Sequence, residues 1–274
     1  MANYETVVYE TVEGKIRRLT LNRPEKLNAL SPKLLNELMQ VLDVYEEDPD
    51  ASVLIIRGAG RAFSAGYDLN EPAVPGQKFT ISNDRVNMQR LVTRWQRLWS
   101  CIKPVIAQVH GFCLAGATEF VGHCDIVFAS EDATFGHPAG RNLGVLPSLS
   151  LWPVLMGPRK SKELFFTGDT ISAAEAVDWH LINRVFPKDK LEEETLAYAR
   201  RVALVSVELL ALHKAAVNRY LEVTGFRAAE QSSADLDVIA HQTEAVKEFL
   251  KTQRTKGLKA ALTERDRPFA KKQA

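Results

Sequence analysis

The sequence contains few cysteines, and their arrangement fits neither a disulfide framework nor a zinc site. The three cysteines, Cys101, Cys113 and Cys124, are odd in number and show no C-x-x-C spacing. Residues 1–6 have neither the basic nor the apolar segment of a signal peptide. We therefore expect reduced thiols and a cytoplasmic location.

Long apolar runs and an excess of charge of one sign are also absent. No apolar run approaches the ~20 residues of a membrane span. The 35 basic and 34 acidic residues give a formal net charge of +1, so neither a membrane nor a nucleic acid is an expected partner. What remains is the composition of an ordinary globular protein, 46% hydrophobic and 25% charged. A chain of 274 residues can bury a full core without metals or disulfides.

The order of apolar patterns predicts an α/β fold. Residues 6–12 and 15–21 are rich in β-branched side chains around Glu13-Gly14 and predict a hairpin. Ser31-Pro32 predicts the start of a helix, with the serine as N-cap and the proline at the first helical position. Residues 53–56 form a short apolar run that is typical of a buried strand. Because strand pairs and helices alternate along the chain, we expect repeated units with a crossover after each.

The last third of the chain has a different pattern. From about residue 190 it predicts only helices, over residues 193–205, 207–223 and 226–252. We therefore divide the chain into a core of residues 1–189, which would hold the site, and a helical C-terminal region of residues 190–274. This region is expected to pack on the core or on a neighbouring subunit.

Two loops of small residues carry the chemical signal. Residues 63–69 read F-S-A-G-Y-D-L, and residues 110–119 read H-G-F-C-L-A-G-A-T-E. Each loop follows a predicted strand, and small side chains leave backbone N–H groups open to a ligand. Glu119 stands three residues after Gly116. Two N–H groups beside one carboxylate would stabilise an enolate or another oxyanion.

Taken in order, these motifs resemble the crotonase (enoyl-CoA hydratase/isomerase) superfamily over almost the full length of the chain. The matching segments are L-N-R-P at 21–24, N-A-L at 28–30, the oxyanion-loop segments at 63–69 and 103–119, C-D-I at 124–126, F-G at 135–136 and F-F-T-G-D-T-I at 165–171. The resemblance implies a crotonase-like spiral of repeated ββα units with a helical C-terminal trimerisation region. It also implies an acyl-CoA thioester as substrate and a homotrimer or a dimer of trimers.

The resemblance assigns residues to roles by their position in the family pattern. The N–H groups of Ala65 and Gly116 would bind the thioester oxygen, and Glu119 would act as base and acid. The further residues expected to bind substrate are Lys26, Asn28, Ala29, Gly66, Tyr67, Asp68, Leu69, His137 and Arg141, with the first three near the ADP part of coenzyme A. Coenzyme A belongs to the substrate, and we expect no cofactor of the enzyme and no metal.

The chain departs from the family at the second glutamate. Hydratases of the family use two, because water addition needs a base for the water and a proton source for the α-carbon. The second should follow Phe135-Gly136-x-Pro, but residues 137–142 read H-P-A-G-R-N and contain no acid. The segment is also about one residue longer than usual before Leu143-Gly144.

Three hypotheses remain for the reaction. Glu119 could hydrate a 2-enoyl thioester alone, with His137, Arg141 or Asn142 positioning the water. It could instead move a proton between C2 and C4 and isomerise a 3-enoyl to a 2-enoyl thioester. Other enolate chemistry, such as C–C hydrolysis or decarboxylation, is the third hypothesis. Hydration ranks first because it is frequent in the family.

Two rival hypotheses come from other classes of protein. Ser64 could be the nucleophile of a hydrolase, although Ala62 stands where a G-x-S-x-G elbow needs glycine. Alternatively, the scaffold could bind acyl-CoA without turnover, which the missing second acid would allow and Glu119 disfavours.

Overall fold

The computed structural model describes residues 4–270, and the three preceding and four following residues lie outside the described part. The strands of the described residues are β1 (Val7–Glu13), β2 (Ile16–Leu21), β3 (Val53–Gly58), β4 (Ala62–Ser64), β5 (Val105–Val109), β6 (Phe112–Leu114), β7 (Ile126–Ser130), β8 (Thr134–Gly136), β9 (Thr170–Ser172) and β10 (Arg184–Phe186). The helices are α1 (Pro32–Glu47), α2 (Ile81–Trp99), α3 (Gly116–Gly122), α4 (Leu151–Thr167), α5 (Ala173–Asp178), α6 (Leu191–Val202), α7 (Val207–Val223), α8 (Phe226–Ala240), α9 (Glu244–Lys256) and α10 (Leu258–Asp266).

The strands form two sheets. The larger sheet has the order β1-β2-β3-β5-β7-β10, and the smaller one has the order β4-β6-β8-β9. The hairpin of β1 and β2 is antiparallel, as predicted, whereas β3, β5, β7 and β10 each pair in parallel with their neighbour. In the smaller sheet β4, β6 and β8 are parallel, and β9 pairs antiparallel to β8.

Successive turns of the chain each give one strand to each sheet. The pairs are β3 with β4, β5 with β6, and β7 with β8, and a helix follows each pair. This arrangement confirms the predicted spiral of ββα units. Residues 53–56 of β3 are all apolar because both faces of this strand are buried. Leu54 and Ile56 pack in the main core, whereas Val53 and Ile55 pack in a second cluster with α6.

The helix start predicted at Ser31-Pro32 is confirmed. Ser31 accepts a hydrogen bond from the N–H of Leu34 at the start of α1. Helix α2 also begins at a cap, because the Thr80 side chain accepts a hydrogen bond from the N–H of Asn83 and starts this helix at Ile81. The predicted helix over 226–252 is two helices, since the chain turns at residues 241–243 before Thr243 begins α9 with an extended backbone.

Helix α8 connects the C-terminal region to the core. It packs against α2. Glu230 of α8 is fully buried. It accepts one hydrogen bond from the side chain of Gln96 in α2 at 3.0 Å and is hydrogen-bonded to Nε2 of His123, which follows α3, at 2.8 Å. The region therefore packs on the core through α8, which is one of the two arrangements predicted for it. Its division from the core at residue 189 stays a prediction. No helix within residues 4–270 combines the length and apolar character that a membrane crossing requires.

Candidate active site

The two small-residue loops meet at one edge of the smaller sheet. Strands β4 and β6 are parallel neighbours, so the loops after them leave the sheet at the same end. A Cβ atom added to Gly66 would lie 2.9 Å from the Cβ of Ala115 and 3.1 Å from the backbone nitrogen of Gly116. Gly66 also has a φ of +94°. Glycine is therefore required here both for the backbone conformation and for the close approach.

Two backbone N–H groups at this junction are free. Gly116 is the first residue of α3, where N–H groups have no partner within the helix. In the other loop, the N–H of Leu30 donates to the carbonyl of Gly66, and the carbonyl of Leu30 accepts from the N–H of Asp68. These two bonds pair Leu30 in parallel with Tyr67, and in such a pair the N–H of Tyr67 points away from Leu30. Neither the N–H of Gly116 nor that of Tyr67 forms a hydrogen bond with residues 4–270.

The donor predicted from the first loop was Ala65, and the structure corrects this. The N–H of Ala65 donates to the carbonyl of Leu27 at 3.0 Å, so it is already engaged. Tyr67, two residues later, supplies the free donor instead. The sequence could not distinguish them, because the pairing with residues 27–30 is a tertiary contact.

Glu119 lies fully buried in α3 with both carboxylate oxygens hydrogen-bonded. Its Oε2 accepts from the Tyr67 hydroxyl at 2.5 Å, and its Oε1 accepts from the N–H of Ser148 at 2.6 Å. The indole N–H of Trp95 in turn donates to the Tyr67 hydroxyl at 2.9 Å. These contacts fix the position and orientation of the carboxyl group.

The environment of Glu119 suits proton transfer at neutral pH. Burial raises the pKa of Glu119 to about 7, although the hydrogen bonds from Tyr67 and Ser148 favour the ionised form and oppose this shift. Both protonation states are therefore populated near pH 7, as a group that accepts and returns a proton requires. Burial raises the pKa of Tyr67 well above its ordinary value, so Tyr67 stays protonated and donates.

The site is closed in this structure. Glu119 has no exposed surface, and the ring of Tyr67 lies so close to Gly116 that an added Cβ would be 2.5 Å from it. An acyl group that reaches Glu119 must therefore displace part of this lining.

Asn28 has a structural role rather than the predicted contact with coenzyme A. Its side chain is fully buried. The amide nitrogen donates to the carbonyls of Ala59 and Ala62 at 2.9 and 2.8 Å, and Oδ1 accepts from the N–H of Arg23 at 2.9 Å. These bonds hold the N-terminal loop against the loop after β3.

The neighbours of Asn28 behave differently. Lys26 is exposed at the end of a short 3₁₀ turn, and its ammonium group forms no ion pair within residues 4–270. Ala29 offers its backbone carbonyl to Arg23 at 2.7 Å. Of the three residues predicted near coenzyme A, Lys26 alone has a side chain available for a phosphate.

The other loop residues mostly shape the loop. Asp68 forms an ion pair with Arg23 at 2.9 Å, and the carbonyl of Leu69 accepts from Gln253 of α9 at 2.7 Å. Ser64 is fully buried, and its hydroxyl donates to the carbonyl of Asn28 at 2.8 Å. With this bond and no histidine partner among the described residues, the hypothesis of a Ser64 nucleophile is wrong.

Neither His137 nor Arg141 forms a hydrogen bond or an ion pair with Glu119. His137 is buried, its ring nitrogens lack hydrogen-bond partners among the described residues, and burial lowers its pKa to about 4, so the ring is neutral.

Arg141 instead holds the end of the chain. It donates to the carbonyl of Thr167 and forms ion pairs with Asp169 and Asp266, both at 2.9 Å. Its guanidinium also lies 4.0 Å from the ring centroid of Phe269. These contacts fasten the C-terminal end of α10 to the segment after β8 and leave the guanidinium no free side for a substrate.

Sequence reasoning missed a second buried carboxyl in this region. Asp237 of α8 accepts a hydrogen bond from the N–H of Val145 at 2.7 Å. Asp237 also acts electrostatically on Glu119 and raises its pKa. No local motif marks Asp237, because it reaches the site only through the packing of α8.

A spiral of ββα units that places two free N–H groups beside a buried carboxyl defines a crotonase-type protein. The chain belongs to the enoyl-CoA hydratase/isomerase family, whose model matches residues 11–272. Among curated relatives, a probable enoyl-CoA hydratase of Rhizobium meliloti (strain 1021) is 35% identical over 254 residues, which cover 90% of this chain and 96% of the relative.

Solved structures agree with this assignment. An enoyl-CoA hydratase/isomerase from Xanthobacter autotrophicus Py2 superposes with a TM-score of 0.90 at 35% identity and covers 97% of this chain and 99% of its own. An enoyl-CoA hydratase from Mycobacterium smegmatis gives a TM-score of 0.89 at 33% identity, with 97% and 94% covered.

Proposed function

We propose that this chain is an enoyl-CoA hydratase that adds water across the C2=C3 bond of a 2-enoyl-CoA thioester. The observation that carries the proposal is the position of Glu119. It is a buried carboxyl whose pKa of about 7 suits proton transfer, on the same short helix that begins with the free N–H of Gly116.

The two free N–H groups would act on the thioester oxygen. Donation by Tyr67 and Gly116 stabilises the negative charge that develops on this oxygen in the enolate, and one such donor is typically worth ~3 kcal/mol of transition-state stabilisation. The positive end of the α3 dipole adds to this effect. Thioester binding and charge stabilisation therefore need only backbone groups.

The chemical step would use Glu119 as the base. The carboxylate takes a proton from a water molecule, the water oxygen bonds to C3, and the π electrons of C2=C3 move into the enolate. The enolate then accepts a proton at C2, which completes the addition of water. In the simplest scheme Glu119 returns the proton that it has taken.

The substrate would supply its own coenzyme A, and we propose no additional cofactor. Lys26, which is exposed and unpaired within the described residues, is suited to contact a phosphate of the ADP part. The three buried, free cysteines support a cytoplasmic location, because such thiols persist in a reducing compartment.

We also propose that the chain forms a homotrimer or a dimer of trimers. Helix α7 buries none of its residues in the single chain. Large apolar side chains are exposed on α7 and α8, namely Leu209, Leu212, Val217, Tyr220, Val223, Leu236 and Ile239. An apolar surface of this kind marks an interaction site. Light scattering should give three or six times the chain mass of 30.6 kDa, and a monomer would contradict the proposal.

The reaction can be tested by mass spectrometry in heavy-oxygen water. Panels of trans-2- and trans-3-enoyl-CoA thioesters of different chain lengths are incubated with the enzyme. Labelled oxygen in the product of a 2-enoyl substrate establishes hydration, and with Glu119→Gln the label should appear about 1,000-fold more slowly. A moved double bond without label identifies an isomerase instead. No change in any substrate rejects hydration and favours another enolate reaction or an acyl-CoA-binding protein.

A further inference from the structure

Asp237 is held in position by a hydrogen bond to one of its two carboxyl oxygens. Its side chain is 5% exposed, and its Oδ1 accepts from the N–H of Val145 at 2.7 Å. The other oxygen, Oδ2, forms no hydrogen bond with residues 4–270. Such an oxygen on a buried carboxyl can hold a proton and donate it.

The same short segment binds Asp237 and Glu119. The N–H of Val145 donates to Asp237, and the N–H of Ser148 donates to Glu119. These two nitrogens are three residues apart, so they lie at most ~11 Å from each other. One four-residue segment therefore holds both carboxyl groups, and they are close enough for Asp237 to raise the pKa of Glu119.

The segment is shaped to admit Asp237. Gly144 has a φ of +139°, and a Cβ atom added to it would overlap Oδ1 of Asp237 and lie 3.0 Å from Nε2 of His241. Gly144 thus leaves room for Asp237 beside the segment that follows β8. This segment contains no acidic residue of its own between residues 137 and 148.

We propose that Asp237 is the second acid–base group of this site and gives a proton to C2, while Glu119 takes the proton of the attacking water. The inference rests on the proposed hydratase function and deepens it. It assigns to α8 the task that the expected second glutamate does not perform in this chain.

Hydrogen bonding favours this division of roles. Both oxygens of Glu119 accept hydrogen bonds, which stabilise the carboxylate and suit a base. Asp237 has one engaged oxygen and one free oxygen, which suits a protonated carboxyl. Each group therefore has the surroundings that its role requires.

Burial favours the protonated form of Asp237, whereas the charges around this carboxyl act on its pKa in both directions. His241 bonds Oδ2 of Asp84 through Nδ1 at 2.9 Å and places Nε2 3.5 Å from Oδ1 of Asp237. Burial raises the pKa of Asp237 to about 7, with His241 lowering it and Asp84 raising it. Asp237 also raises the pKa values of two further groups near this site, Glu119 and Tyr67.

The proposed step balances as follows. Glu119 gains a proton from water, the hydroxyl oxygen bonds to C3, and the enolate electron pair takes the proton of Asp237 at C2. After the product leaves, Glu119 is neutral and Asp237 is charged. Transfer of one proton from Glu119 to Asp237 through solvent restores the starting state.

The roles can be separated by two measurements on full-length enzyme. The first is the hydration rate of the 2-enoyl-CoA thioester that the labelling experiment identifies. The second is exchange of the C2 protons of the matching saturated acyl-CoA in heavy water, followed by NMR, which needs the C2 group but no attacking water. Asp237→Asn should lower both rates about 100-fold. Glu119→Gln should lower hydration and leave exchange within a few-fold of the original enzyme.

Asp235→Asn is the matched control. Asp235 lies on the same helix, but it is exposed and pairs with Arg85 at 2.8 Å, so both rates should be unchanged. Equal behaviour of Asp237→Asn and Asp235→Asn would overturn the proposal. Loss of hydration with exchange preserved in Asp237→Asn would also overturn it, because Asp237 would then not act at C2.

A pH profile provides a readout that a purely structural role would not change. If protonated Asp237 is required, hydration should fall above about pH 7. Because His241 lowers the pKa of Asp237, His241→Asn should move the high-pH limb of the hydration profile to higher pH. This test can also be made if Asp237→Asn does not fold. An unmoved limb contradicts the proposal. Failure of the original enzyme to hydrate any thioester would instead reject the proposed function itself.

Discussion

The two halves of the site are built in different ways. In one half, residues 63–69 and 110–119 supply the free N–H groups and Glu119 from two loops that follow neighbouring strands. In the other half, Val145 meets Asp237, which is 92 residues away in sequence. The first half depends on local backbone geometry, whereas the second depends on where a C-terminal helix packs. A chain can therefore keep the enolate-stabilising half and obtain its second acid from another element.

The largest expected effect is on the first half of the site. Glu119→Gln removes the proposed base while it keeps the size of the side chain, and we expect hydration to fall about 1,000-fold. Steady-state kinetics would measure this loss, and circular dichroism would check that the variant folds. A rate within twofold of the original would disprove the assignment of Glu119.

Tyr67→Phe would test how the loop controls Glu119. The Tyr67 hydroxyl donates to Glu119 and lowers its pKa, so loss of the hydroxyl should raise that pKa. Since the base must be ionised, the low-pH limb of the hydration profile should move upwards. A hydrogen bond to a charged group is worth about 1.5–3 kcal/mol, so the loss at pH 7 should be on the order of tenfold.

The same profile contains its own control. At high pH Glu119 is ionised in both Tyr67→Phe and the original enzyme. Their hydration rates should therefore become nearly equal there, although they differ at pH 7. A loss that is constant across the pH range would mean that Tyr67 acts on substrate placement instead.

The parts of the fold that the sequence predicted are those with local causes. The hairpin has a glycine with positive φ at its turn, and α1 has a serine cap followed by proline. Helix α4 was missed because a glycine and a proline, Gly157-Pro158, interrupt it with a kink.

Within the site, the prediction of Glu119 and Gly116 depended on one continuous loop and helix. The correction from Ala65 to Tyr67 depended on which N–H group donates to the carbonyl of Leu27. A single sequence does not reveal that hydrogen bond. The same limit applies to Asp237. Residues whose roles are set by distant packing are therefore the ones that sequence reasoning did not find.

Asn28→Ala would sharpen the contrast between structural and substrate-binding residues. It leaves one buried carbonyl, one partly buried carbonyl and one N–H without their partner, and it places alanine at a φ of +52°. We expect the free energy of unfolding to fall by about 3 kcal/mol, measured by denaturant titration. Asn22→Ala is the control, because Asn22 is exposed and makes only a backbone hydrogen bond. Equal stability of the two variants would contradict a structural role for Asn28.

The smallest expected effect concerns Lys26. If its ammonium group contacts a phosphate of coenzyme A, Lys26→Ala should raise KM about threefold and leave kcat and stability unchanged, because an exposed charge pair is worth about 0.2–1 kcal/mol. The effect should shrink at high salt. Lys33→Ala is the matched control, since Lys33 already pairs with Glu5. An unchanged KM at low salt would show that Lys26 does not bind coenzyme A. Backbone groups and other side chains would then have to bind it.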